Sequence, residues 1–406
     1  MKKALVLCGG LPQINLIKEL KFRGYQALLA DINKNAPAIP YADKFYAVST
    51  FDIDGIRKIA VEEKVEMILS VCADQMLLVV AQISEELGLP CYVDYKTSKD
   101  VSNKEYMKDL FVRGGVPTSK HIVRATLKPQ DIESLAFPLI VKPVDAYSSK
   151  GVRKCDSYAE LEEGFAEAVS ISRTDTAVVE EYVEGEEYSV DVYVENGQAK
   201  VLCIGMLSKT PQKGKFVICR ATYPPQITDT VKVKIANTAQ KIADAFYLVD
   251  TPMLIQLKVD CERISVIEFC SRTGGGNKFS LIQKLTGFDV ITAVLDLTLG
   301  KKPHVPEFGN DTCIIDEFVY CNKGLLDHVE GFEELHAERL IDDFFIFRKG
   351  GSEFGEIKSS GDRLGYFSVS GKTREELAVK YAQINARVKA ISIAGEDMIK
   401  HDYIAL

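Results

Sequence analysis

Apolar runs and amphipathic stretches alternate from the first residues. "KALVLCGG" reads as a buried strand ending on glycines, and "PQINLIKELKFRGY" places Ile14, Ile17 and Leu20 on one helical face before Gly24. "QALLAD" repeats the strand pattern, "DIDGIRKIAVEEKV" the helical one and "EMILSVC" the strand again. "DQMLLVVAQISEELGLP" is a helix stopped by Gly88 and Pro90. This alternation predicts a parallel sheet with helices on its faces over residues 1–100.

The pattern then changes. "SNKEYMKDLFVRGGVPT" predicts a helix opened by a Ser102–Glu105 capping box, striped by Met107, Leu110 and Phe111, and ended by Gly114, Gly115 and Pro117. It is placed as a hinge between lobes. "FPLIVKPV" and "AVVEEYV" are short strands flanking a helix at about 161–170. "YSVDVYVENGQAKVLCIG" is a hairpin turning at Asn196-Gly197 in type I′ geometry. From 227 to 300 come a helix ("VKVKIANTAQKIADAF"), the strand pair "MLIQLKVD" and "ISVIEF", and another helix. "DRLGYFSVSGKTREELAVKYAQINARVKAI" adds a strand, a capped turn and a long helix. The class is α/β with an α+β lid. The boundaries expected are 1–100, 101–300 with a lid at about 120–188, and 301–406.

Composition narrows the field. With 406 residues, 46% apolar and 27% charged, the chain has room for two or three globular domains. A net charge of -8 argues against a nucleic-acid protein held by a general basic field. No apolar run reaches the length of a membrane span. Gly9, Gly10 and Pro12 interrupt the N-terminal apolar run too early for a signal peptide. The ten scattered cysteines form no C-x-x-C pair, which fits reduced thiols in a cytoplasmic protein. Gly9, Gly10 and Asp31 stand where a dinucleotide fold would use them, but "CGGLPQI" departs from G-x-G-x-x-G and Pro12 stiffens the turn.

"VIEFCSRTGGGNK" sets Glu268 beside Arg272 and then removes side chains for three residues. A metal-bound anionic ligand explains this; a buried salt bridge beside a bend is the plainer reading. Lys104 in "NKEYM", Lys142 in "VKPVDAYSSKGV", and Glu180, Glu181 and Glu187 in "EEYVEGEEYSVDV" precede it in order. This series resembles the ATP-grasp superfamily, in the branch of the carbamoyl phosphate synthase large chain and the amino-acid and D-alanine ligases. The resemblance covers most of the chain and implies an ATP-grasp fold behind a Rossmann-like front lobe.

The resemblance implies roles for individual residues. Lys104 and Lys142 neutralise phosphates, although a solvated helix lysine and a buried ion pair are the plain alternatives. Ser148, Ser149 and Gly151 form a phosphate-covering loop, or an ordinary turn. Glu180 and the backbone of Glu181, Tyr182 and Val183 meet the adenine edge, and Glu187 takes the ribose hydroxyls; a solvated acidic hairpin is the alternative. Magnesium falls to Glu268, with Gln256 where the family has an acid and Cys270 where it has Asn. A turn centred near Glu262 puts Gln256 opposite Glu268. Arg272 is expected on a phosphate or a substrate carboxylate, and the glycines 274–276 at an anion site. "SKTPQKGKFVICRATYPP", with Lys209 and Arg220, reads as a loop over the site. Cys270 lacks a nearby His, so a cysteine nucleophile is a poor reading.

The activity implied is ATP-dependent joining of a small carboxylate, such as an amino acid, to an amine through an acyl phosphate, with Mg2+. A homodimer is the implied assembly, without nucleic acid or membrane. A nucleotide-binding module with impaired catalysis, suggested by Gln256 and Cys270, is the rival.

Overall fold

The structure, a computed structural model, describes residues 2–146, 150–211, 216–309 and 312–404. Lys2–Leu7 pairs in parallel with Tyr25–Ala30 and Met67–Leu69, and Lys44–Tyr46 adds an edge strand. Ala4 and Val6 share a core with Ile14, Ile17 and Leu20 of the helix Leu11–Phe22. Leu5 and Leu7 share the opposite core with Ile56 of Ile53–Glu63 and Ile83 of Asp74–Leu87. A strand covered on both faces must be apolar throughout, which is why "ALVL" does not alternate. Asp31 accepts the backbone N–H groups of Gly9 and Asn33, each at 2.7 Å. A Cβ on Gly9 would lie 2.5 Å from the Ala36 Cβ. The pair therefore closes a turn, and the dinucleotide reading has no support here.

The helix expected to be a hinge is Lys104–Arg113, and its cap differs from expectation. Asn103 Oδ1 accepts the N–H groups of Glu105 (2.9 Å) and Tyr106 (3.2 Å). Ser102 instead ends a preceding helix, Tyr95–Ser102, and donates to Ser98 O. Asn caps as well as Ser does, so the residue nearer the turn takes the role. Phe111 anchors the helix against Phe246 and Phe269, with ring centroids 6.1 and 5.9 Å away.

Three antiparallel sheets follow, the smallest joining Glu353–Phe354, Gly324–Glu330 and Lys389–Ser392. His121–Arg124, Ala177–Glu181, Leu139–Pro143 and Arg153–Cys155 lie side by side in that order, with the helix Tyr158–Ile171 packed on them. The largest sheet has eight strands in the order Arg263–Cys270, Thr251–Asp260, Glu186–Glu195, Gln198–Lys209, Ile218–Tyr223, Cys313–Val319, Gly365–Gly371 and Asp343–Ile346. Asn196 and Gly197 both have positive φ (51° and 81°), as the predicted type I′ turn needs. Ile218–Tyr223 is a strand rather than the expected loop. Val217, Cys219 and Ala221 are buried with period two, a signal hidden by the flanking lysines and prolines. Arg220 consequently faces the C-terminal residues: Nε lies 2.6 Å from Glu317, and Nη2 donates to the carbonyls of Tyr403 and Ile404. All ten cysteines are free. No described helix is long and apolar enough to cross a membrane.

Candidate active site

A cleft opens between the four-stranded and the eight-stranded antiparallel sheets. Lys104, Lys142, Glu187, Gln256 and Glu268 line it, with Ile140, Val152 and Phe216 among its apolar walls. Lys142 and Glu180 sit on adjacent strands and meet at 2.5 Å. The second Glu180 oxygen accepts from Lys108 at 2.7 Å and from Ser119 at 2.8 Å. Burial works to raise the Glu180 carboxyl, but the two ammonium groups overcome it and hold it well below the usual carboxylate range. Of the three, Lys142 and Glu180 line the cleft; burial lowers Lys108 from its ordinary value, although Glu180 opposes this. Both Glu180 oxygens are thus engaged by lysines rather than turned to a base edge.

Lys104 is the first residue of its helix, where the helix dipole disfavours a cation. It is held by Ala146 O at 2.9 Å and by Glu268 at 3.5 Å. Glu187 is paired with Lys209. Behind residues 181–183, Lys258 donates to Val183 O at 2.7 Å and stands over the Tyr182 ring. Gly151 has φ 71°, and a Cβ there would lie 2.8 Å from Ile171 and 2.9 Å from Pro143. Its glycine is therefore required by the fold around it. Ser148 and Ser149 lie outside the described residues.

The hairpin turns at Cys261 and Glu262, and Gln256 stands opposite Glu268, as the spacing predicts. The register shifts directly after Gln256, and such bulges re-aim side chains next to active sites. Among the described residues no three His, Cys, Asp or Glu form a metal cluster. One carboxylate and one amide oxygen still suit Mg2+, which takes few protein ligands and completes its shell with phosphates and water.

Cys270 does not join this set. Its thiol hydrogen-bonds Asp74, and burial pushes its pKa well above the ordinary value, so it stays protonated. Arg272 Nε lies 2.6 Å from the same Asp74, the first residue of Asp74–Leu87. The expected anion partner of Arg272 is thus filled by a carboxylate from the front lobe. The glycines behave similarly. Gly274 N–H donates to Asp191 at 3.1 Å, and Lys278 donates to Asp191 at 2.8 Å and to Ser189 at 2.7 Å. A Cβ on Gly274 would press to 3.0 Å from the Asp191 oxygen. Arg272 and Lys278 line a second, larger chamber that joins the cleft through Lys104, Gln256 and Glu268.

Sequence reasoning missed Asp74, Lys108, Asp191, Lys258 and Lys278. Asp191 was the findable one, because "YSVDVYV" sets an acid inside a strand that is apolar on both sides.

Three family descriptions match the chain: a PylC-like N-terminal domain over residues 5–91, an ATP-grasp domain over 135–280, and an L-amino acid ligase C-terminal domain 2 over 317–391. Residues 135–280 are thus an ATP-grasp domain. The ATP-grasp stretch carries Lys142, Glu180, Glu187, Gln256, Glu268 and Arg272. ATP-grasp ligases use ATP with Mg2+. The carbamoyl phosphate synthase large chain of Clostridium acetobutylicum is 22% identical over 299 residues, 72% of this chain and 28% of that one. The D-alanine--D-alanine ligase of Bacillus velezensis is 31% identical over 174 residues, 38% of this chain and 46% of that one. The chain thus spans less than half the length of either relative. The crystal structure of an L-amino acid ligase from Bacillus licheniformis superposes with a TM-score of 0.80 at 21% identity, covering 97% of this chain and 99% of that one. At that identity the likeness carries the fold.

Proposed function

We propose that this protein is an ATP-dependent carboxylate–amine ligase acting on an amino acid or similar small carboxylate. The observation that carries the reading is convergence. Lys104 and Lys142, from different elements, line one cleft with Glu268 and Gln256, and that cleft runs into a chamber holding Arg272.

In this reading, residues 1–100 are a front lobe, about 120–188 a lid, and 301–406 a lobe completing the core. A substrate carboxylate oxygen attacks the γ-phosphorus of ATP, the bond to ADP breaks, and an acyl phosphate forms. An amine then attacks the acyl carbon and phosphate leaves. Lys142, braced by Glu180, and Lys104 neutralise phosphate charge, which is the main demand of phosphoryl transfer. The Glu181–Val183 backbone borders the base and Glu187 the ribose. Glu268 and Gln256 would hold Mg2+, which supplies further charge neutralisation when bound. Arg272 orients the anion of the acyl substrate once Asp74 yields to it. Closure of the lid keeps water from the acyl phosphate.

A nucleotide-binding module without catalysis is not favoured. The named relatives carry enzyme names, and Cys270 is engaged by Asp74 rather than exposed as a failed ligand. Calorimetry of ATP with and without Mg2+, on wild type and Glu268→Ala, tests the metal site. Binding should need Mg2+ and weaken by about tenfold or more without the carboxylate. An amino-acid screen for ADP release then tests the reaction. ATP binding that ignores both Mg2+ and Glu268, or no ADP release with any acid and amine, would sink the reading.

A further inference from the structure

Among the described residues, three carboxylates line the larger chamber: Asp74, Glu268 and Asp316. Two are matched by cations, Asp74 by Arg272 and Glu268 by Lys104. Asp316, on the strand Cys313–Val319, is not. It is 1% exposed, and its hydrogen-bond partners are neutral. Oδ1 accepts from Asn277 Nδ2 at 3.1 Å and from the Ser368 hydroxyl. No donor among the described residues reaches Oδ2. Lys278, a nearby cation, gives its ammonium to Asp191 and Ser189 instead. Burial accordingly raises the Asp316 carboxyl above its ordinary value. A buried carboxylate without a cation is costly unless something fills the gap. Asn277, which sets its orientation, directly follows the glycine run and so ties it to the strand that carries Glu268 and to the bend after it that carries Arg272.

We propose that Asp316 Oδ2 receives the ammonium group of the amine substrate and accepts its proton, an assignment that rests on the ligase reading above. An ammonium has no lone pair and cannot attack. Transfer of one N–H proton to the carboxylate leaves a neutral amine and a neutral Asp316. The freed pair forms the C–N bond at the acyl carbon while the C–O bond to phosphate breaks, and the second proton leaves with phosphate.

Hydroxylamine separates this role from phosphoryl transfer. It is uncharged at neutral pH and captures an acyl phosphate as a hydroxamate without needing an ammonium acceptor. The common amino acids, offered as carboxylates with hydroxylamine and then as amines, give two rates for wild type and Asp316→Asn. The substitution should lower kcat/KM with amino-acid amines about 100-fold more than with hydroxylamine. Equal losses would overturn the assignment. Ser368→Ala, which loosens Oδ1 and keeps the charge, should shift the same ratio about threefold in the same direction; an unchanged ratio counts against it. Ligand-detected NMR with L-alaninamide, an ammonium probe without a carboxylate, reads the subsite without turnover. Saturable binding that Asp316→Asn abolishes is expected, and no binding to wild type overturns the subsite. Probe binding without ADP release from any acid would instead overturn the ligase reading and leave the subsite standing.

Discussion

Glu180 and Glu317 are both buried glutamates on strands, and their surroundings drive them in opposite directions. Glu180 lies between two lysines with a serine hydroxyl added, and both oxygens are satisfied. Glu317 has Arg220 at 2.6 Å and the Tyr381 hydroxyl at 3.0 Å on one oxygen, while its other oxygen has no partner. Burial pushes the Glu317 carboxyl up to about 7, although Arg220 and Tyr381 oppose it. Glu180 is held low under comparable burial. Desolvation alone does not decide whether a buried acid stays charged; the number of donors and cations it meets does. In the cleft the outcome is that an ionised Glu180 fixes Lys142 on the cleft wall. In the chamber Lys104, Arg272 and Lys278 each have a carboxylate, Arg363 is held by the Tyr320 hydroxyl, the Ile218 carbonyl and the Phe318 ring, and Asp316 is paired with no cation.

The contrast can be broken most forcefully at Glu180. Glu180→Ala strands two lysines in a buried site and should cost about 3–5 kcal/mol in chemical denaturation. A cost below about 1 kcal/mol would mean that the triad is solvated and the contrast false. The pH dependence sharpens it further. Glu317 binds its proton more tightly folded than unfolded, so its contribution is complete below its ordinary 4.5 and fades as pH rises through 7. Relative to Glu317→Gln, wild type should lose roughly 1–3 kcal/mol between those pH values. Glu180 runs the other way: its contribution is present above its ordinary 4.5 and is lost as pH falls below it. Unfolding curves of wild type, Glu180→Gln and Glu317→Gln across acid pH should therefore slope in opposite senses. The smallest effect belongs to Tyr381→Phe. Removing that donor should cost about 0.5–1.5 kcal/mol above pH 7 and move the Glu317 midpoint upward. A downward move would show that the hydroxyl does not support the ionised form.

Local pattern carried far in this chain. The doubly covered strand Lys2–Leu7, the type I′ turn at Asn196-Gly197 and the opposition of Gln256 and Glu268 were all legible, because each depends on a period or a spacing of a few residues. Reading failed where two local signals competed. Ser102 and Asn103 both suit a cap, and the strand Ile218–Tyr223 was masked by the lysines and prolines around it.

The sequence by itself determined which chemical groups the site has: Lys104, Lys142, Glu187, Glu268 and Arg272 stand in an order that already implied nucleotide and metal. Only the tertiary structure decided what each group faces. Asp74 reaches Arg272 across 198 residues, Lys108 reaches Glu180 across 72, and Asp316 is left without a cation. Periodicity arises from the backbone within a few residues. Charge pairing depends on which strands and helices pack together, and on how many donors each buried acid then meets.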